Sequence, residues 1–312
     1  MENKQIKKDK IYIVAGPTAV GKTEYSIELA KKLDGEIVSL DSVQVYKYLN
    51  IGAAKVSKEE MSGIRHYMID EVEPSVNLNV KEFKDMANAY IKDILNRGKV
   101  PILVGGSGFY IRAILYNTDF LEEDDVESAK IREKLYDELE VKGIDYLYEK
   151  LKEIDIESAK AIPKENVKRV VRAIEFYEIH KFPISKHNLE EKMKESYYKY
   201  EFYVLNMDRD RLYERINKRV DKMIADGLLL EIKELINMGL SSDLNSMKSI
   251  GYAELYDFVK KKEAINDINE LNKSDKEELN YLIDKIKQHS RNYAKRQLTW
   301  FKAQKNIIWI ER

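Results

Sequence analysis

A chain of 312 residues, 44% hydrophobic and 35% charged, has the apolar material for a full core beneath a heavily charged surface. Its net charge of −1 carries no information about nucleic acid, so only local clusters of cations can. The lack of cysteine excludes structural disulfides, cysteine-based zinc fingers and a thiol nucleophile. A polar Met1–Lys10 does not read as a signal peptide, and no apolar run approaches the ~18 residues of a membrane span, so a cytoplasmic protein with no membrane partner is expected.

Near the N-terminus, Ile11-Tyr12-Ile13-Val14 reads as a buried parallel strand, and a helix follows to about Leu33 with Ile27, Ala30 and Leu33 on one side. Between them Gly16, Pro17, Thr18, Ala19, Val20, Gly21, Lys22 and Thr23 fit G-x-x-x-x-G-K-[ST], the phosphate-cradling P-loop. Glycines let the loop's N–H groups converge, and the helix N-terminus adds partial positive charge. Lys22 is placed to reach a terminal phosphate oxygen and Thr23 to hold Mg²⁺. The motif identifies a diphosphate or polyphosphate, as in nucleotide binding, but does not name its carrier.

A second strand, Glu36–Leu40, runs into Asp41-Ser42-Val43-Gln44-Val45-Tyr46. A carboxylate just past a strand's C-terminal end lies where open α/β sheets bind ligands. Asp41 there reads equally as a helix cap or a catalytic group, with a magnesium-shell aspartate a third option. Residues 50–70 are loop-like, and His66 reads as an ordinary packed histidine. From Val80 the spacing of Phe83, Met86, Ala87, Tyr90, Ile91 and Ile94 predicts a core-facing helix stopping near Gly98. A third strand, Val100–Val104, precedes a second glycine turn, Gly105-Gly106-Ser107-Gly108, expected beside the first.

Residues 121–199 are charged and poor in β-branched runs, which predicts an all-helical insertion. It opens on the acidic run Glu122–Asp125, expected as a solvated loop. It also holds Lys168, Arg169, Val170, Val171 and Arg172, where Arg169 and Arg172 share a face with Glu175 or Phe176. That face suits either phosphates or intrahelical ion pairs. Strand pattern returns at Glu201–Met207, ahead of a helix with Arg211, Arg215, Lys218 and Lys222 at helical spacing. Ser246–Tyr252 opens another helical stretch, and 260–278 reads as an exposed helix–loop–helix. From His289 to Lys305, five cations alternate with Tyr293, Trp300 and Phe301. This is an RNA-contact pattern, or an amphipathic helix with aromatics inward and cations outward. A last strand spans Ile307–Ile310. The expected fold is α/β, a P-loop NTPase-like parallel-sheet core over 1–120 and 200–312 with the helical insertion at 121–199 between them.

Taken together and in order, GPTAVGKT (16–23), DSVQVY (41–46), IGAAK (51–55), HYMIDEVEP (66–74), LVGGSGFY (103–110), KRVVRAIE (168–175), RLYERINKRVDKM (211–223), SIGYAE (249–254) and AKRQLTWFK (294–302) resemble the tRNA isopentenyltransferase family. The resemblance implies transfer of a dimethylallyl group from dimethylallyl diphosphate to N6 of adenine 37 beside the tRNA anticodon, with Mg²⁺ as cofactor and a monomeric enzyme. It implies that residues 16–23 hold the diphosphate, Lys22 and Thr23–Mg²⁺ neutralise the leaving group, and Arg215, or else Arg211 or Arg219, adds a clamp. Asp41 would be the base. Asp41, Ser42, Val43 and Gln44 would line the adenine pocket, Ser107 would contact RNA near it, and 168–172 and 294–302 would touch tRNA. Ser107 stands where threonine is common, while Ala53, Val56 and Tyr67 depart from the family pattern in a loop whose role is weakened accordingly. The lack of a Cys-His finger matches the bacterial form. A P-loop small-molecule or nucleoside kinase, a non-catalytic RNA-binding switch and an adenylate isopentenyltransferase share parts of this pattern.

Overall fold

The computed structural model describes residues 10–121, 125–262 and 271–312. Residues 122–124 of the acidic run, the first nine residues and positions 263–270 of the expected helix–loop–helix lie outside the described residues. In chain order the elements are β1 (Lys10–Ala15), α1 (Lys22–Leu33), β2 (Gly35–Ser39), β3 (His66–Tyr67), α2 (Val80–Asn96), β4 (Val100–Gly105), α3 (Gly108–Leu115), α4 (Asp125–Ile154), α5 (Ile156–Ala161), α6 (Val167–His180), α7 (Ile184–Met193), β5 (Lys199–Asn206), α8 (Arg209–Ala225), α9 (Leu228–Asn237), α10 (Tyr252–Lys261), α11 (Lys273–Lys302) and β6 (Ile308–Glu311). The chain divides into two compact units, Met1–Leu115 with Tyr197–Arg312, and Tyr116–Ser196.

The first unit is built on a six-stranded sheet ordered β3-β2-β4-β1-β5-β6, with every pairing parallel. Parallel strands covered on both faces carry continuous apolar runs, and β1 does so with Ile11, Ile13 and Val14 fully buried. Register decides the site. Ala15 pairs with Gly105 on one side and Val204 on the other, and Ser39 pairs with Val104. The segments that leave β1, β2, β4 and β5 therefore emerge on one edge of the sheet, and the two glycine turns are neighbours.

The helices follow their sequence signals. In α2, Asn79 and Glu82 form a reciprocal capping box, each side chain accepting the other's backbone N–H at 2.9 Å. Phe83, Ala87, Ile91 and Ile94 are buried along it, with Met86 and Tyr90 half-buried. The core is left after α3 and regained before β5 at one point, where the Tyr197 N–H donates to the Leu115 carbonyl at 2.7 Å. Such closely spaced ends let a helical segment interrupt the sheet without disturbing its strands.

The second unit, α4–α7, packs around Leu135, Leu147, Leu151, Ala159, Val170, Val171, Ala173 and Ile174. Within α4, Gly143 leaves helical geometry (φ 77°, ψ 171°) and divides the helix in two. This core corrects one expectation. Val170 and Val171, grouped with the RNA-contacting residues, are 0% and 2% exposed, because the apolar stripe of α6 faces the helical core. Lys168, Arg169 and Arg172 are on its exposed face. Glu175, 1% exposed, accepts from Arg132 at 2.6 Å and lies 3.6 Å from Arg172.

Candidate active site

The P-loop bends where side chains would collide or strain. A Cβ on Gly16 would stand 2.6 Å from the Leu205 carbonyl oxygen of β5, so only glycine lets the two backbones approach that closely. Ala19 holds φ 64°, a left-handed conformation costing a non-glycine residue about 1–2 kcal/mol. Arg215 of α8 fixes it there, its Nε donating to the Ala19 carbonyl at 2.9 Å. An Arg215 amino group lies 4.0 Å, and the Arg312 guanidinium 3.7 Å, from where a Cβ on Gly21 would stand. Arg312 also pairs with Glu24 in the first turn of α1.

Lys22 folds back over the loop, its Nζ donating to the Gly16 and Pro17 carbonyls at 3.0 and 2.9 Å. Burial lowers its pKa to about 8, and the neighbouring Arg219 pushes the same way while Asp41 opposes both. Burial likewise lowers Arg219 from the usual arginine range, with Asp41 again opposing. Lys22, Arg219 and Asp41 are thus one electrostatic cluster. Of the arginines considered as a clamp, Arg211 donates to the Arg312 carbonyl at 3.1 Å, whereas Arg215 and Arg219 both reach the loop's surroundings. By sequence, Arg219 is an alternative to Arg215. Its i+4 offset from Arg215 places both on one face of α8, a signal open to the 3.6-residue period.

Asp41 caps a turn instead of a helix. Its Oδ1 accepts the Val43 and Gln44 N–H groups at 2.9 and 3.3 Å, and its Oδ2 has no hydrogen bond among the described residues. Burial raises the pKa of Tyr110, which bonds Ser42 and feels the Asp41 charge. Burial and then Asp41 push Tyr293 of α11 up to about 12. Both tyrosines therefore stay neutral while feeling the charge of a carboxylate. A cavity of about 370 Å³ opens against the same turn, lined by Ser42, Val43, Tyr46, Phe83, Tyr110 and Lys248 among others. Gln44 does not offer its amide to a ligand. Its Nε2 donates to the Ala53 and Ala54 carbonyls at 3.3 and 3.4 Å, and its Oε1 accepts from Ser39 at 3.2 Å. Ser107 is half-buried at the start of α3, its carbonyl accepting the Ile111 N–H at 3.2 Å.

The C-terminal basic-aromatic stretch resolves as the amphipathic alternative. Phe301 is fully buried, Trp300 packs against Gly108, and Ala294 and Gln297 are buried, while Lys295, Arg296 and Lys302 are exposed. Of its aromatics, Phe301 belongs to the core, while Tyr293 and Trp300 are half-buried. His66 is half-buried, its Nδ1 2.9 Å from the Ile64 carbonyl and its pKa lowered by burial.

For magnesium, the donor set is the test. No cluster of three His, Cys, Asp or Glu side chains exists among the described residues to form an all-protein cage. Thr23 stands exposed on the first turn of α1 beside the loop. One hydroxyl at a phosphate cradle suits Mg²⁺, which keeps several waters and takes its remaining ligands from substrate phosphates.

A parallel sheet with a P-loop after its central strand, cations over that loop and a carboxylate on the same edge is the architecture of a P-loop transferase. A model of the family described as IPP transferase matches residues 44–304. The chain is similar to tRNA dimethylallyltransferases of Lachnoclostridium phytofermentans (44% identical, 97% of this chain and 91% of that one) and Acetivibrio thermocellus (42%, 97% and 92%). Among solved structures it resembles the tRNA isopentenylpyrophosphate transferase of Bacillus halodurans, at 38% identity and TM-score 0.66, over 97% of this chain and 90% of that one. A eukaryotic dimethylallyltransferase acting on tRNA aligns at 28% identity and TM-score 0.76, over 97% and 74%. The chain belongs to the IPP transferase family.

Proposed function

We propose that this protein transfers the dimethylallyl group of dimethylallyl diphosphate to N6 of adenosine 37 in tRNA. The observation that carries the reading is the Asp41 carboxylate, its Oδ1 held by the Val43 and Gln44 N–H groups just past β2, on the sheet edge where the P-loop and its Lys22 leave β1. A base and a cationic seat for a leaving group are thereby brought together.

The bond between the allylic carbon and the diphosphate oxygen breaks as the N6–carbon bond forms. Negative charge gathers on the departing diphosphate, where Lys22, Arg215, Arg219 and the loop N–H groups are fixed in advance, so their stabilisation is greatest in the transition state. The adenine amine is a weak nucleophile because its lone pair is delocalised into the ring. Asp41 Oδ2 accepts the N6 proton as the bond forms, leaving a neutral secondary amine. The adenine must leave its stack to reach this edge, and Ser42, Val43 and the aromatic-lined cavity beside them suit a planar base. Lys168, Arg169 and Arg172 of the helical unit offer cations to tRNA phosphates. Mg²⁺ held by Thr23 would add charge neutralisation at the diphosphate. The enzyme acts in this reading as a cytoplasmic monomer.

The test is nucleoside mass spectrometry of unmodified tRNA incubated with the protein, Mg²⁺ and dimethylallyl diphosphate. An adenosine heavier by one dimethylallyl group is expected. Asp41→Asn should keep tRNA binding and lose turnover by ~10²–10⁴-fold, the usual contribution of a positioned base. A wild-type rate in that variant would remove Asp41 as the base.

A further inference from the structure

Gln297 lies in α11, amid exposed cations, yet is only 6% exposed. Its amide joins the two glycine turns. Oε1 accepts the Thr18 N–H of the P-loop at 3.0 Å, and Nε2 donates to the Gly106 carbonyl at 2.9 Å. A side-chain amide suits a bridge between a donor and an acceptor, because its tip carries an acceptor oxygen and a donor nitrogen on separate atoms. The surroundings are cut to fit it. A Cβ on Gly106 would stand 2.1 Å from Nε2, and one on Gly108 would stand 2.1 Å from the Trp300 ring, so α11 lies directly against this turn. One turn before, Tyr293 hydrogen-bonds Gln297 and feels Asp41.

We propose that Gln297 is a positioning residue for the transfer reaction, locking the loop that holds the donor's diphosphate to the turn that carries Ser107 on the acceptor side. The inference rests on the prenyl-transfer reading above. Gln297 touches neither substrate. It takes the Thr18 N–H out of phosphate binding and makes it the anchor that sets the loop's height over the Gly105–Gly108 turn. Transfer needs the allylic carbon and N6 at near-attack separation, where a misplacement of about 1 Å costs on the order of 10²-fold in rate. Two substrates on two separate turns make that separation depend on whatever ties the turns together.

The experiment is single-turnover prenyl transfer at saturating tRNA and dimethylallyl diphosphate. Equilibrium binding of tRNA and of a non-reactive thiodiphosphate analogue of the donor is measured on the same variants. Gln297→Leu, matched in size and unable to bond, should lower the single-turnover rate by on the order of 10²-fold while both dissociation constants stay within about threefold of wild type. Gln297→Glu keeps the acceptor for Thr18 but sets a buried charge against the Gly106 carbonyl, so its rate should be at least as low as that of Gln297→Leu. Gly106→Ala strikes the same contact with α11 unaltered and should reproduce the Gln297→Leu effect. In a Gln297→Ala background the Gly106→Ala change should cost less than about threefold, because the atom it collides with has gone. Binding lost in proportion to rate would make Gln297 merely structural, and additive costs in the double variant would break the proposed link. Hydrogen exchange at the Thr18 amide reads the lock without chemistry. Faster exchange in Gln297→Leu is expected, and unchanged exchange overturns the proposal whether or not the wild-type protein prenylates tRNA. Absence of product from wild type would instead fall on the reaction assigned above.

Discussion

Glu231→Gln tests how the loop behind the Asp41 turn is held. In α9, Glu231 Oε2 accepts the Asn50 and Ile51 N–H groups at 2.8 and 2.7 Å, and Oε1 accepts the Gly52 N–H at 3.1 Å and the Tyr252 hydroxyl at 2.6 Å. Four donors converge on one carboxylate, and a Cβ on Gly52 would stand 2.4 Å from the buried Tyr252 ring. This explains the IGAAK and SIGYAE stretches as two halves of a clasp. A glutamine must aim its NH₂ at one pair of donors. The cheaper choice faces Gly52 and Tyr252, since the hydroxyl can turn and accept, leaving the Gly52 N–H stranded. That half-buried amide costs about 1–2 kcal/mol, and loss of charge assistance on the other two bonds roughly 1 kcal/mol more. A total of about 2–3 kcal/mol lowers the melting temperature of a unit this large by roughly 4–12 °C. Calorimetry or circular dichroism reads it. The loosened loop carries Ala53 and Ala54, which hold Gln44 beside Asp41, so the transfer rate at assay temperature should fall as well. A melting temperature within about 2 °C of wild type would refute the carboxylate as the loop's anchor.

Lys22 gives a pH signature. With its pKa lowered to about 8 it loses its proton in the free enzyme above that pH, so a donor analogue should bind about fivefold more weakly at pH 9 than at pH 8. Calorimetric titration reads this, and a flat profile would deny Lys22 its place on the diphosphate. Chelation by EDTA should abolish transfer while leaving the melting temperature of the substrate-free protein unchanged, since no described side-chain cluster cages a metal; a large drop on scanning calorimetry would reveal a structural ion. Arg169→Ala with Arg172→Ala should weaken tRNA binding and flatten the slope of log K against log salt by up to about 1.4–1.8 for two phosphate contacts, and an unaltered slope would assign both arginines to the protein's own carboxylates.

The parallel core was legible because its signals are local. A β-branched run before glycines and a lysine reads as strand, phosphate loop and helix wherever it occurs, and the 3.6-residue spacing in α2 names its buried face. The placement of Asp41 past β2 and of Gly106 past β4 followed from the same grammar. Periodicity alone left open what each face meets. Val170 and Val171 sit between cations in sequence yet turn into the helical core. Trp300 and Phe301 carry an RNA-like composition yet pack inward, and the Gln44 amide bonds its own neighbours. Arg219 joined the Lys22–Asp41 cluster only when α8 was laid beside the loop. Gln297 acts on Thr18 from 279 residues away and Glu231 on Asn50 from 181, distances across which no spacing rule operates. By itself the sequence determined where backbone can bend around a phosphate, because that depends on the conformational limits of the residues present. Only the tertiary structure decided which polar side chains face a ligand and which hold the loops that do, because a hydrogen bond depends on where its partner is brought by the packing of the rest of the chain.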